Sequence, residues 1–374
     1  MKGALRCLVV LLAFLVVHCA RAEHILLQGQ VGKYPVVMDL WDAGGDVSGR
    51  YFYERYRQDI PLRGHLDGNV YRLSSANYEG DDRPADVFEL SRAGGLVSGK
   101  FISPKGKELS VELKVVTPSS VKEPRIDSGI LKDLGGYEKL QLTGLEFVPG
   151  KKEVIGGGFN LQWFHETRSG LSMFHVTGGY PESVIRSINS IIDGRFYSEL
   201  RNYFGCSDGL GKSGVELVVG SYFLSENFVS YAVNSGWYCV GAAHPDFGVE
   251  GVTISAKTGL ELTLEEMYWL GGADKLVPDS DAWMEYRRKV FAPAIVELFR
   301  RLYPDDMSGP DGNGGCDYSD INVWKYPSWY LTPKGLRIGA YFARVQRACD
   351  NPEWSIIPYS VLRKRNPLLF RVKG

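Results

Sequence analysis

The chain has 374 residues, 43 Lys and Arg against 44 Asp and Glu, 44% apolar content and six histidines. That length suggests two domains of roughly 100–200 residues each, and the ordinary globular composition argues against disorder, collagen, coiled coil and multi-pass membrane architectures. A net charge of −1 lacks the electrostatic footprint of a nucleic-acid binder, so no nucleic-acid partner is expected.

Residues 1–22 read as a signal peptide. Lys2 and Arg6 form a basic start, Cys7 to Val17 a short apolar run, and Ala20-Arg21-Ala22 puts small residues where a signal peptidase reads them. The run is shorter than the ~20 residues of a spanning helix, and no later segment approaches that length. The expected product is periplasmic or secreted, with no transmembrane segment. Its net charge becomes −4, because Lys2, Arg6 and Arg21 leave without any acid. Cys7 and Cys19 leave too. Cys206, Cys239, Cys316 and Cys349 remain, an even set with three possible pairings. Cys206–Cys239 and Cys316–Cys349 are expected, since each joins neighbours in sequence. Each closed loop would stabilise the fold by about 3–4 kcal/mol. A zinc site is not expected, because no CxxC pair and no suitably spaced histidine accompanies these thiols.

Residues 23–117 read as a β-rich domain, an antiparallel meander or partly closed barrel. Leu109, Val111, Leu113 and Val115 alternate with polar residues, and Val36, Met38 and Leu40 alternate with Val37 and Asp39. An internal echo runs from Ala43 to Tyr51 (AGGDVSGRY) and again from Ala93 to Phe101 (AGGLVSGKF). Trp41, Tyr51 and Tyr53 offer an aromatic platform for sugars or simply good strand composition. Residues 118–136 read as a linker.

Residues 137–366 read as an α+β domain with an antiparallel or mixed sheet and two long helices, followed by a basic tail at 367–374. Strands are expected at Leu140–Phe147, Phe159–Glu166, Leu171–Val176, Val215–Leu224, Phe228–Tyr238, Gly251–Ser255, Trp329–Leu331 and Arg337–Tyr341. One helix opens near Pro181-Glu182, with Ile185, Ile188, Ile192, Phe196, Leu200 and Tyr203 inward. The other runs from Asp281 to Tyr303, with Trp283, Tyr286, Val290, Leu298 and Leu302 inward and Pro293 kinking or splitting it. A short helix is expected at Tyr359–Lys364.

Enzyme motifs fail on spacing. Gly211-Lys212-Ser213 would need a glycine where Cys206 stands. His165-Glu166 would need a histidine at Ser169, though His165 and His175 could meet across a hairpin. Asp311-Gly312-Asn313 opens like a calcium loop, but Gly315 takes a ligand position and no glutamate closes it. The acids Asp305, Asp306, Asp311, Asp317 and Asp320 still form an unopposed cluster over 303–320, and Arg363, Lys364, Arg365, Arg371 and Lys373 form the reverse at the chain's end.

One stretch is familiar. It comprises Gly241-Ala242-Ala243-His244-Pro245-Asp246, the strand Val252–Ser255, the turn Thr258-Gly259, and Leu262-Thr263-Leu264 leading into an acidic helix. With Gly178–Asn189, Tyr330–Leu336 and Ile357–Leu362, it resembles the extracellular domain of the anti-sigma-V factor, which binds lysozyme. It also resembles the non-catalytic region of a peptidoglycan deacetylase. The resemblance covers residues 137–366. Only six residues precede the apolar run, so direct sigma-factor control is not expected. The deacetylase's His-x-x-x-His metal motif is missing. The family's Pro-Tyr-rich contact loop is replaced here by Ala340-Tyr341-Phe342-Ala343-Arg344. Gly259 is expected to supply a positive φ and Thr263 to cap the next helix.

The resulting expectation is a non-catalytic binding protein of the cell envelope, its partner lysozyme-like or peptidoglycan-associated. Gly241, His244, Asp246, Asp305, Asp306 and Asp311 are the candidate contact residues. No cofactor, metal or catalytic residue is expected. The alternatives are a glycan or cell-wall hydrolase using carboxylates about 5–10 Å apart, or a structural envelope protein.

Overall fold

A computed structural model describes residues 23–75, 85–117, 121, 134–207, 212–272, 276–308 and 315–370. They fall into two compact units: residues up to Tyr51 with Pro61–Val116, and Phe52–Ile60 with the residues from Thr117 on.

The first unit is built on an eight-stranded antiparallel barrel that closes completely. Its strands are β1 (Glu23–Val31), β2 (Tyr34–Ala43), β3 (Asp46–Tyr53), β4 (Ile60–Asp67), β5 (Val70–Ser74), β6 (Val87–Ala93), β7 (Leu96–Ile102) and β8 (Glu108–Val115). Closure comes from β1 pairing β8, with Gly29 opposite Leu113. It leaves neither edge strand bare. Leu27, Met38, Leu40, Tyr51, Tyr71, Phe88, Leu90, Val111 and Leu113 are buried and fill the interior. The alternation expected for β2 fails on one side, because Val37 and Asp39 are buried as well. The sequence echo becomes two equivalent hairpins, β2–β3 and β6–β7. Gly49 and Gly99 hold the same place in each, where a Cβ would lie 2.3 Å from the Asp39 carbonyl oxygen and 2.0 Å from that of Glu89. Only glycine lets the strands coil that closely.

The second unit carries three antiparallel three-stranded sheets in place of one larger sheet. They are β9 (Phe147–Ile155), β10 (Phe159–Glu166) and β11 (Ser172–Gly178); β12 (Val215–Leu224), β13 (Phe228–Trp237) and β14 (Asp246–Ser255); and β15 (Ser328–Thr332), β16 (Gly335–Gly339) and β17 (Ile356–Pro358). The strand expected over Leu140–Phe147 is overturned. Helix α1 (Gly136–Leu142) takes its first part and Gly144 (φ 74°) turns the chain into β9. Helix α2 (Glu182–Gly205) opens as expected and buries Ile188, Ile192, Phe196 and Leu200 against the first two sheets, with Phe204 inward beyond them. Thr263 caps α3 (Leu264–Met267) in a full capping box with Glu266, and Gly259 has φ 70°.

The helix over 281–302 is divided into two α segments just ahead of Pro293. It comprises α4 (Asp281–Tyr286), a wide turn over Arg287–Phe291 and α5 (Ala292–Leu302). In that turn the Ala292 N–H bonds Arg287 O, five residues back. The widening absorbs Pro293, which has no N–H to offer. One extra residue rotates the later face by about 100°. Val290, expected inside, is therefore 40% exposed, while Phe291, Ile295 and Phe299 are buried. Arg287 pairs with Glu265 at 2.7 Å, both buried. A last helix, α6 (Tyr359–Arg365), follows β17.

Cys206–Cys239 and Cys316–Cys349 are both bonded, each across 33 residues. Among the described residues no helix is long and apolar enough to cross a membrane.

Phe52–Ile60 supplies the second unit with buried polar groups. Arg57 Nη1 donates to the carbonyls of Leu140 and Gln141 at the end of α1 (2.8 and 2.5 Å), where a cation suits the negative helix terminus. Gln58 Nε2 donates to Phe204 O and Cys206 O at the end of α2 (2.8 and 2.9 Å). The Asp59 carboxylate accepts from Tyr137 (2.8 Å) and Gln141 (2.6 Å).

Candidate functional site

The connection from β13 to β14 starts at Cys239, tied through its disulfide to Cys206 at the end of α2. The Ala242 N–H donates to Cys239 O (2.9 Å), closing a turn whose third residue, Gly241, has φ 84°. Such a turn needs glycine there. Gly241 is thus explained by backbone geometry. His244 is exposed at the tip, and its Nδ1 meets the Arg344 guanidinium.

Asp246 begins β14 and accepts from Arg347 Nη1 at 2.6 Å. Arg347 Nε donates to the buried Asp350 at 2.6 Å, and Nη2 donates to Phe247 O. The guanidinium also lies 5.0 Å from the Phe247 ring and 4.7 Å from that of Tyr341. Arg347 is thus held by two carboxylates and two rings, with its side chain only 10% exposed. Around it Phe247 and Tyr341 stand exposed, and Val345 is 93% exposed at the crest of the short 3₁₀ turn Arg344–Cys349. Trp237, opposite Asp246 in the sheet, and Tyr238 are exposed nearby in the chain.

The 3₁₀ turn ends at Cys349, whose disulfide reaches Cys316, and the Tyr318 hydroxyl donates to Cys349 O at 2.9 Å. Tyr318 packs edge-on against Phe342 and Trp354. Burial raises its pKa, and Asp350 and Asp306 add to the rise. Both disulfides therefore brace one region, the first at the His244 turn and the second at the 3₁₀ turn that grips it.

The acidic candidates separate. Asp305 and Asp306 are exposed after α5, with Met307 buried as an anchor. Asp317 accepts from Ser319, and Asp320 caps the turn Ile321–Trp324. Asp311 lies outside the described residues, as do Gly211 and the Asp311-Gly312-Asn313 stretch. Among the described residues no group of His, Cys, Asp and Glu could hold a metal ion.

Other expected constellations do not assemble. His165 faces Ser172 and His175 faces Gln162, so the strand register keeps the histidines apart; His175 bonds Asp193 at 2.7 Å instead. The aromatic platform fails because Tyr51 points into the barrel, where its hydroxyl donates to Asp86 at 2.6 Å, whereas Trp41 stands outside, stacked on His24. Ser213 donates to Tyr203 O, a structural role. Glu199, Glu250 and Glu261 surround Arg195. Burial raises the Glu199 pKa and Glu250 adds to it, but Arg195 bonds both Glu250 and Glu261 on an open surface.

Phe247, Tyr341, Val345 and Arg347 were not among the candidate contacts. Asp246 and Arg347 lie 101 residues apart, and the one local cue was an Arg three residues before an Asp. No protein-family model and no curated protein matches the chain.

Proposed function

We propose that the chain is an exported envelope protein of the binding type, whose second unit recognises a cell-wall-associated protein of the lysozyme kind. The observation that carries this reading is the exposed aromatic pair Phe247 and Tyr341, braced by Arg347, with the exposed Val345 two residues before Arg347 on the same short turn. Binding hot spots favour aromatic residues and arginine on pre-ordered supports. An exposed valine at the crest has no packing role to explain it. Three further points support the reading: the signal-like first 22 residues, the paired cysteines typical of an oxidising compartment, and the resemblance over 137–366. The exposed acids Asp305 and Asp306 would speed encounter with a basic partner more than they tighten it.

Isothermal titration of the mature, oxidised protein with lysozyme and with soluble peptidoglycan fragments tests this at low and moderate salt. Val345→Asp is expected to weaken the complex about tenfold or more while leaving the thermal midpoint unchanged, because it touches only the outward crest. Arg347→Ala is expected to lower both affinity and stability, the latter by about 3 kcal/mol, since it strands the buried Asp350. No heat with either ligand ends the proposal.

A further inference from the structure

A different surface carries an inference independent of that reading. We propose that the basic face formed by the ends of α5 and α6 docks onto an anionic phospholipid bilayer. Helix α6 is pinned by Leu362, fully buried, and its last three residues, Arg363, Lys364 and Arg365, are all exposed. The chain is caught again just beyond. Asn366 Nδ2 donates to Glu266 O at 3.3 Å, and Phe370 is buried beside the Phe228 and Tyr359 rings. Between these two anchors Leu368 is pushed outward and is 70% exposed.

The last turn of α5 adds exposed Arg300 and Arg301. Leu298 and Phe299 of α5 and Leu362 of α6 pack in one apolar core with Tyr268, and Arg301 and Arg365 both act electrostatically on the Tyr268 hydroxyl, opposing the rise that burial causes. Among the described residues no acid pairs with Arg300, Arg363, Lys364 or Arg365. Arg301 shares only an exposed pair with Glu297. Four cations without acids, on a chain with more acids than bases, are a local concentration that composition does not explain.

The chemistry suits a lipid surface in two ways. Guanidinium groups pair with phosphates, and each basic residue near an anionic bilayer contributes a measurable attraction. Leu368 then enters the acyl boundary, which is where an apolar side chain within a basic face gains by burial. A soluble polyanion would use the charges but gain nothing from Leu368, and that difference separates the two.

Co-sedimentation of the oxidised full-length mature protein with large vesicles tests the assignment. Vesicles of phosphatidylglycerol with phosphatidylcholine are expected to bind it, more weakly as salt rises, and pure phosphatidylcholine is not. The R363E/K364E/R365E variant should partition at least about 100-fold more weakly, on a loss of roughly fivefold or more per charge. Leu368→Ser should lower partitioning about tenfold. Circular dichroism and the thermal midpoint should be unchanged in both. Three results overturn the proposal: no sedimentation with anionic vesicles, equal binding to neutral ones, or an unaltered triple variant. If Leu368→Ser binds the vesicles as tightly as wild type, the face serves a soluble polyanion and not a bilayer.

Discussion

At Asp86 burial pushes the carboxyl above its ordinary value of 3.8, while the hydrogen bond from Tyr51 pulls the other way and loses. A carboxyl whose folded pKa lies above its unfolded one binds its proton more tightly in the folded state. It therefore favours folding at low pH, and that contribution fades as pH rises from about 4 through the raised value. Asp86→Asn keeps an acceptor for the Tyr51 hydroxyl and cannot ionise. Its thermal midpoint should match wild type near pH 3 and exceed it near pH 7. A midpoint difference that stays constant across that range would show that the carboxyl is not perturbed. Single residues were unevenly legible in the sequence. The four cysteines paired as their order suggested, because neighbouring thiols close short loops, and Gly259 and Thr263 took the local roles their types demand. Arg347 was illegible because its value comes from Asp246, Phe247 and Tyr341, which only the folded chain brings to it.

Elements with a strong period survived the comparison best. β10 and β12 have the limits their alternation gave, and α2 has its apolar face where the three-and-four spacing put it. The segment after residue 136 went the other way. Leu140 and Leu142 fit a period of two, yet the carbonyls of Leu140 and Gln141 are taken by Arg57, 83 and 84 residues away. Tertiary hydrogen bonding decided a short, ambiguous stretch. The repeated hairpin permits a paired test. Gly99→Ala puts a methyl 2.0 Å from a backbone oxygen and should cost about 2–3 kcal/mol in denaturant unfolding, as overpacking does. Gly95→Ala, where nothing lies within 4 Å, should cost well under 1 kcal/mol, within the range of ordinary surface changes. Equal costs at the two sites would show that close strand approach is not what Gly99 permits.

For the molecule as a whole, a division into a β-rich first part and a mixed second part was readable from where the alternation stops. The membership of Phe52–Ile60 was not. Those nine residues sit in a run of strands and carry no composition shift, but they complete the second unit. A fragment beginning at Thr117 therefore lacks Arg57, Gln58 and Asp59, and with them the bonds they make to buried carbonyls, to the Tyr137 hydroxyl and to the Gln141 amide. Each such loss costs about 1–3 kcal/mol. The fragment should show a much lower urea midpoint than the full chain and poor near-ultraviolet dichroism. A fragment as stable as the parent would mean that the segment is dispensable.

That membership also sets a clock. Gln58 and its acceptor Phe204 O are separated by 146 residues. A polypeptide delivered amino-terminus first, whether by a ribosome or through a translocation channel, presents the donor long before the acceptor. At typical synthesis rates the wait is roughly 7–30 s. During that interval Arg57, Gln58 and Asp59 stay hydrated, and a holdase that grips this stretch could delay maturation of everything downstream.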